Sequence, residues 1–376
     1  MQSRELKLAR HPQGKVRPDD FSLDVVSVPE ELGPGDILVR NSWLSIDPSV
    51  RMRLGPTGPA GYLPPFRIGE TLTGLAVGEV VRSRAPGFEP GDMVLHINGF
   101  REFAVIRQDG DTLAGAGGVT RLDTTEHSPQ SYLGALGSSG LTAYVGLQCI
   151  GELTGDDVVW ISSAAGAVGS LAAQIARIRG HYVVGSTGSA EKARFLSEEL
   201  KLDAAFDYHT PDLIGALERA APNGIDLYFD NVGGAHLEAS LYHLRRGGRV
   251  AMAGAVASYD AEAPTAGPNN LFQIVAKNLT VRGFRAGAYE HLLGDMRAEV
   301  GELSPRRPAS CCGNRVRRSR VGTGCHHRDA ARPHRRKDAV PSTLMLRRLH
   351  RRTWPPHHAE AMFFCAAQAA VHPPSA

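Results

Sequence analysis

Asp157-Val158-Val159-Trp160-Ile161-Ser162-Ser163-Ala164-Ala165-Gly166-Ala167-Val168-Gly169 decides how this chain is read. The run Asp157 to Ile161 is short, apolar and β-branched, as a buried strand requires, and Val168, Leu171, Ile175 and Ile178 then recur on one face of a helix. Between them, Ala164-Ala165-Gly166-Ala167-Val168-Gly169 is a Gly-x-Gly-x-x-Gly fingerprint whose first glycine is alanine. Gly166 lets the backbone approach a pyrophosphate, Gly169 lets the helix lie close on the strand, and the free N–H groups of the helix start face the anion. Ala165, Gly166, Ala167, Val168 and Gly169 are therefore the expected dinucleotide cradle.

Outward from this loop the same alternation continues. Strands are expected at His181 to Val184, Ala204 to Phe206, Ile225 to Phe229 and Arg249 to Met252. Helices are expected at Ala190 to Lys201, Asp212 to Ala220 and Ala235 to Leu244. This rhythm predicts an α/β, doubly wound parallel sheet over residues 131 to 302. After the second strand, Gly185-Ser186-Thr187-Gly188-Ser189-Ala190-Glu191-Lys192 offers no carboxylate to the ribose of NAD. Thr187, Gly188, Ser189 and Lys192 stand where a 2′-phosphate would lie, which points to NADP.

Residues 1 to 130 differ: the runs Asp36 to Arg40, Gly74 to Val81, Asp92 to Ile97 and Glu102 to Ile106, punctuated by Gly and Pro, read as strands of an irregular β domain. No apolar run approaches the ~20 residues of a bilayer crossing, and Met1 to Arg10 is too charged for a signal peptide. Of the 5 Cys only Cys149 precedes residue 303, which fits a reducing cytosol and excludes a disulfide framework or a four-cysteine zinc site in the body.

Residues 303 to 376 break the pattern. They hold 15 of the 42 Lys+Arg but 3 of the 39 Asp+Glu, so this atypical basic tail carries +12 and the body −9. Arg, His, Pro and Cys crowd together without apolar periodicity, and the break falls within a helical pattern, Leu292, Leu293, Met296, Val300. A nucleic-acid arm and a metal site compete with out-of-frame translation of a GC-rich gene. The last is the adopted reading, with disorder as its structural expression and nucleic acid not an expected partner.

Ser45-Ile46-Asp47-Pro48, Tyr62 to Glu70, Gly137 to Tyr144, Ser163 to Gly169 and Phe229-Asp230-Asn231-Val232-Gly233-Gly234, in this order along about residues 1 to 302, closely resemble the zinc-independent medium-chain dehydrogenase/reductases, in particular their NADPH-dependent alkenal/one reductases. The resemblance implies a GroES-like β domain (1 to 130), a Rossmann domain (131 to 302), a homodimer, and hydride transfer from NADPH to the β-carbon of an enone or enal. Gly69-Glu70-Thr71 lacks the histidine of zinc-containing relatives, so no catalytic metal is expected.

By the same resemblance Tyr259, in Gly254 to Tyr259, is the expected oxyanion donor or proton relay, and Tyr62 a second tyrosine facing the substrate. A packed aromatic is the plain alternative for each. Asp260 stands where the resemblance leads one to expect Asn. Tyr208 matches a tyrosine near the adenosine phosphate, Asn231, Val232 and Gly233 lie toward the nicotinamide, and Phe284 lines the pocket or belongs to the core. His96, His209 and His291 have no Ser or Cys partner in a nucleophile elbow, so hydrolase chemistry is not supported. Past Glu302 no segment resembles the one that completes the β domain in relatives. Weak cofactor binding or poor folding is the expectation. A quinone oxidoreductase and an inactive binding protein are the rival readings.

Overall fold

The computed structural model describes residues 1–108, 118–209, 212–261, 263 and 265–303. The reading of the basic tail falls outside the described residues, which end at Leu303.

The amino-terminal part is built from β1 (Gln2–Leu8), β2 (Phe21–Ser27), β3 (Asp36–Leu44), β4 (Ala76–Ser83), β5 (Met93–His96), β6 (Phe103–Arg107) and β7 (Thr120–Arg121). β1 and β2 form an antiparallel hairpin, and the other five make an antiparallel sheet ordered β6-β3-β4-β5-β7. Ile37, Val39, Val80 and Val94 alternate inward from three of its strands to one core, the period-2 pattern of a half-buried sheet. Leu6, Leu8, Leu54, Phe66 and Leu72 form a second core beneath the hairpin. The strand reading did not find this hairpin, whose second strand leaves Leu23 and Val25 exposed and so lacks a clear inward face.

The second part carries α1 (Ser138–Val145), β8 (Val158–Ile161), α2 (Ala167–Ile178), β9 (Tyr182–Thr187), α3 (Ala190–Glu198) and β10 (Ala204–Asp207). It continues with α4 (Leu213–Ala220), β11 (Ile225–Asp230), α5 (Gly234–His243), β12 (Leu244–Met252), α6 (Phe272–Ala276), β13 (Thr280–Gly283) and α7 (Leu293–Leu303). Six parallel strands run in the order β10-β9-β8-β11-β12-β13, with the chain reversing direction across the sheet beside β8. This is the doubly wound order that leaves a crevice at the carboxyl ends of the central strands. Val159, Trp160 and Ile161 are fully buried because helices cover both faces, which is why β8 reads as an unbroken apolar run. Trp160 stacks on Tyr228 of β11 with ring centres 4.4 Å apart.

Three expectations need correction. Ile178 is 53% exposed, since α2 ends there; Leu171 and Ile175 are buried in the core and Val168 packs against it. β9 runs on to Thr187, beyond Val184, because small buried residues continue the strand where apolar ones stop. β12 begins at Leu244, not Arg249: Gly247, at φ +77°, carries the chain through a bulge between the two parts of the strand. The helical pattern at Leu292 to Val300 does form a helix, with Met296 and Val300 buried against the main core. Among the described residues no helix is long and apolar enough to cross a membrane.

Candidate active site

The loop from β8 to α2 is tight enough to make glycine obligatory at one position. A Cβ on Gly169 would stand 2.3 Å from the Ser163 carbonyl oxygen and 2.9 Å from Ala164 Cα, whereas one on Gly166 would stand 3.1 Å from the same carbonyl. Gly169 thus serves helix–strand contact and Gly166 caps α2 in extended conformation, with no side chain covering the helix start. Ala164 donates its amide to the Ser186 carbonyl at 2.9 Å and Trp160 Nε1 donates to Ser186 Oγ at 3.1 Å, so the loop is fixed to β9. The start of α2 at Ala167, Val168 and Gly169, whose first amides have no side-chain cap and behind which Ala165 is buried, fits a pyrophosphate.

At the end of β9, Thr187 is buried and its carbonyl accepts the Tyr208 amide at 3.0 Å. A Cβ on Gly188 would lie 3.1 Å from Tyr208 Oη, so the phenol lies over this glycine. Ser189 caps α3, its Oγ accepting the Lys192 amide at 3.2 Å. Thr187, Gly188, Ser189, Lys192 and Tyr208 are therefore neighbours, as a 2′-phosphate pocket needs. Tyr208 also meets His236 edge to face at 4.8 Å, and burial raises its phenol above the ordinary value.

The third wall is the turn after β11. Asp230, fully buried, accepts at one oxygen from Tyr228 Oη (2.8 Å), the Val232 amide (2.9 Å) and the Gly233 amide (2.7 Å). Burial pushes this carboxyl up despite those donors. Asn231 is tied to β8 by its amide on Ser162 Oγ (3.0 Å) and its Nδ2 on the Ser162 carbonyl (2.8 Å). Gly233 and Gly234 take φ of +71° and +54°, which the backbone needs to swing into α5. The carbonyls of Asn231 and Val232 in turn accept the amides of Val256 and Ala257, binding the loop that carries Tyr259. Sequence reasoning quoted Asp230 within a motif but gave it no role.

Tyr259 follows a 3-10 turn, Val256–Ser258, and its hydroxyl oxygen accepts the Ala255 amide at 3.4 Å. Burial is the main cause of its raised pKa, with Tyr62 and Asp230 close enough to add to it. Tyr62 comes from the other part of the chain, and the residue before it, Gly61, accepts Arg285 Nη1 at 3.2 Å. Tyr62 also lies under the Arg285 guanidinium, 5.1 Å from its ring centre. Asp260 bonds Arg51 across the same gap, Nε to Oδ1 at 2.7 Å, which explains how a charged residue is accommodated there. Phe284 turns its ring edge to face onto Phe229 at 6.4 Å, beside Gly146, while its amide donates to the Met252 carbonyl. Its ring belongs to the core, and its backbone borders the crevice.

The family model described as the N-terminal domain of oxidoreductase matches residues 4–114, and that described as zinc-binding dehydrogenase matches 167–301. The NADPH-dependent curcumin reductase of Escherichia coli (strain K12) is 35% identical over 80% of this chain and 85% of its own. The NADP(+)-dependent 2-alkenal reductase of Nicotiana tabacum is 35% identical over 77% of this chain and 83% of its own. The crystal structure of CurA in complex with NADPH from Vibrio vulnificus superposes with a TM-score of 0.73 at 31% identity, covering 80% of this chain and 87% of that one. With the strand order, the loop after β8 and sequence identity of this extent in agreement, the chain belongs to the zinc-independent, NADPH-dependent branch of the medium-chain dehydrogenase/reductases.

Proposed function

We propose that this protein reduces the carbon–carbon double bond of α,β-unsaturated ketones and aldehydes with NADPH. The observation that carries the reading is the placing of the Tyr259 hydroxyl against Gly254 and Ala255, beside the turn 230–234 at the carboxyl edge of the parallel sheet, with the adjoining Asp260 bonded to Arg51 of the β domain. The activities named for the curcumin and alkenal reductases support the substrate class.

NADPH supplies a hydride when bound. The chain has to hold both reactants and stabilise what hydride addition to the β-carbon creates, an electron pair displaced onto the carbonyl oxygen. A phenol O–H directed at that oxygen does so, and a proton from water delivered to the α-carbon completes the reduction. Burial keeps the Tyr259 phenol protonated, and the Ala255 amide occupies a lone pair of its oxygen while leaving its proton for an acceptor. Tyr62 is the second substrate-facing donor. Ala165 to Gly169 receive the pyrophosphate, Thr187, Gly188, Ser189, Lys192 and Tyr208 the adenosine phosphate, and Asn231, Val232, Gly233 and the Phe284 backbone the nicotinamide end. No metal ion takes part.

The working unit we propose is a homodimer in a reducing cytosol. Among the described residues β13 is an open sheet edge with all four residues exposed, and Phe272 and Val275 of the adjoining α6 are 76% and 67% exposed. A second copy across a two-fold axis would pair the edges and cover the apolar helix.

The test is NADPH oxidation by the full chain with a simple enone, with NADH and a quinone in parallel. NADPH-selective enone turnover is expected, falling about a hundredfold in Tyr259→Phe with cofactor affinity retained. Turnover of the quinone alone would overturn the reading.

A further inference from the structure

From each domain an arginine reaches across to the residue that flanks a candidate tyrosine of the other. Arg51, in the 3-10 segment Pro48–Arg53 of the β domain, donates from Nε to Asp260 Oδ1 at 2.7 Å and from Nη2 to the Gly14 carbonyl at 2.7 Å. Asp260 is the residue after Tyr259. In the opposite direction Arg285, two residues past β13, donates from Nη1 to the Gly61 carbonyl at 3.2 Å and places its guanidinium 5.1 Å from the centre of the Tyr62 ring. Gly61 is the residue before Tyr62.

From this reciprocity we infer that Arg51 and Arg285 form a two-armed clamp that sets the separation of Tyr62 and Tyr259, with Asp260 the positioning residue through which one arm acts. The inference rests on the reading of both tyrosines as substrate-facing. Neither arginine is a catalytic residue here: Arg51 acts through Asp260, and Arg285 through the Gly61 carbonyl and the face of the Tyr62 ring.

The two arms differ in chemistry. Arg51 is anchored at two points of its planar fork and its side chain is 18% exposed, so it behaves as a strut of fixed length. Its bond to Asp260 is charge-assisted, although the carboxylate, at 42% exposure, is partly screened by water. Arg285 holds a carbonyl and an aromatic face, so its arm carries no ion pair. A reaction that needs a hydrogen bond to one atom and hydride delivery to its neighbour is sensitive to an ångström of misplacement. The loop of Tyr259 is rigid within its own domain, through Asn231 and Val232. What remains to be fixed is the position of one domain against the other, which these two contacts cross.

The experiment compares wild type, Arg51→Ala, Asp260→Ala, the double variant, Arg285→Ala and the charge exchange Arg51→Asp with Asp260→Arg, all in the full chain. NADPH titration by fluorescence and thermal melts accompany enone kinetics. The expected result is a kcat about tenfold lower or more in each single alanine variant, with NADPH Kd within about threefold of wild type. The double variant should be no worse than Arg51→Ala alone, and the exchange should recover most of the lost kcat. Where an alanine variant does not fold, Arg51→Lys keeps the charge without the fork and is expected between wild type and Arg51→Ala.

Single-variant kcat values within twofold of wild type, or losses that multiply in the double variant, would overturn the clamp. If the wild-type chain reduces no enone, the functional reading fails by itself. The clamp is then decided by the melts: coupled effects of Arg51 and Asp260 support it, and strictly additive effects refute it.

Discussion

The buried carboxyl group of Asp230 accepts the amide of Gly233 at 2.7 Å, and through that bond a side chain with no exposed surface holds the turn between β11 and α5. Three donors converge on one oxygen, and the backbone carbonyl of the same residue accepts the amides of Ala253 and Gly254. Asp230→Ala would leave two buried amides and the Tyr228 hydroxyl without their acceptor. A loss of roughly 2–4 kcal/mol in unfolding free energy is expected, with a weaker NADPH affinity. Asp230→Asn keeps an acceptor in place and should lose less than half as much. Chemical denaturation of the two variants decides this, and equal losses would mean that the negative charge, not the acceptor, holds the turn.

Gly166 and Gly169 separate folding from binding. A methyl at Gly169 meets the Ser163 carbonyl at 2.3 Å, which only a shift of helix against strand can relieve, so Gly169→Ala should lower the melting temperature by several degrees. A methyl at Gly166 meets that carbonyl at 3.1 Å and is tolerated by the fold, but it intrudes on the approach to the helix start. Gly166→Ala should therefore melt near wild type and bind NADPH at least about tenfold more weakly. Reversed behaviour of the two would place the pyrophosphate elsewhere.

How legible these features were in the sequence varied with their range. The strand and helix around the 164–169 loop follow from local periodicity, and the loop's function follows from its position between them. Tyr208 could be named as a phosphate neighbour by resemblance, but its position over Gly188 depends on β9 and β10 lying side by side, a contact between distant residues. The bond from Arg51 to Asp260 spans 209 positions, and nothing local to either residue announces it. The sole hint was that Asp260 departed from its expected type. Ile178 failed as a core residue because periodicity does not say where a helix stops facing its sheet.

Cofactor choice should rest on the pocket beside Gly188. Lys192→Ala and Tyr208→Phe are each expected to raise KM for NADPH about tenfold while changing KM for NADH by less than twofold, since the two cofactors differ there only by the 2′-phosphate. Steady-state titration with both cofactors measures the ratio. Parallel increases for NADH would mean that these residues support the fold of the pocket instead of reading the phosphate.

Two buried histidines make the fold sensitive to acid. Burial, assisted by nearby Arg101, lowers His96 to about 3, and burial with some help from His209 lowers His236 to about 4. In the unfolded chain both titrate near the ordinary imidazole value of about 6.5. Between that value and their folded ones the unfolded state binds more protons, so stability falls as pH falls through the window and is level above it. At pH near 4.5 each histidine is expected to cost roughly 2 kcal/mol relative to neutral pH. His236 stacks on Trp160 at 5.8 Å and meets Tyr208 edge to face, contacts a phenyl ring can keep, so His236→Phe should fold and show a shallower acid slope. Melting temperatures from pH 7.5 down to 4.5 test the sign directly: a flat profile for wild type would show that neither imidazole is held neutral by its surroundings, and an unchanged slope in His236→Phe that His236 is not.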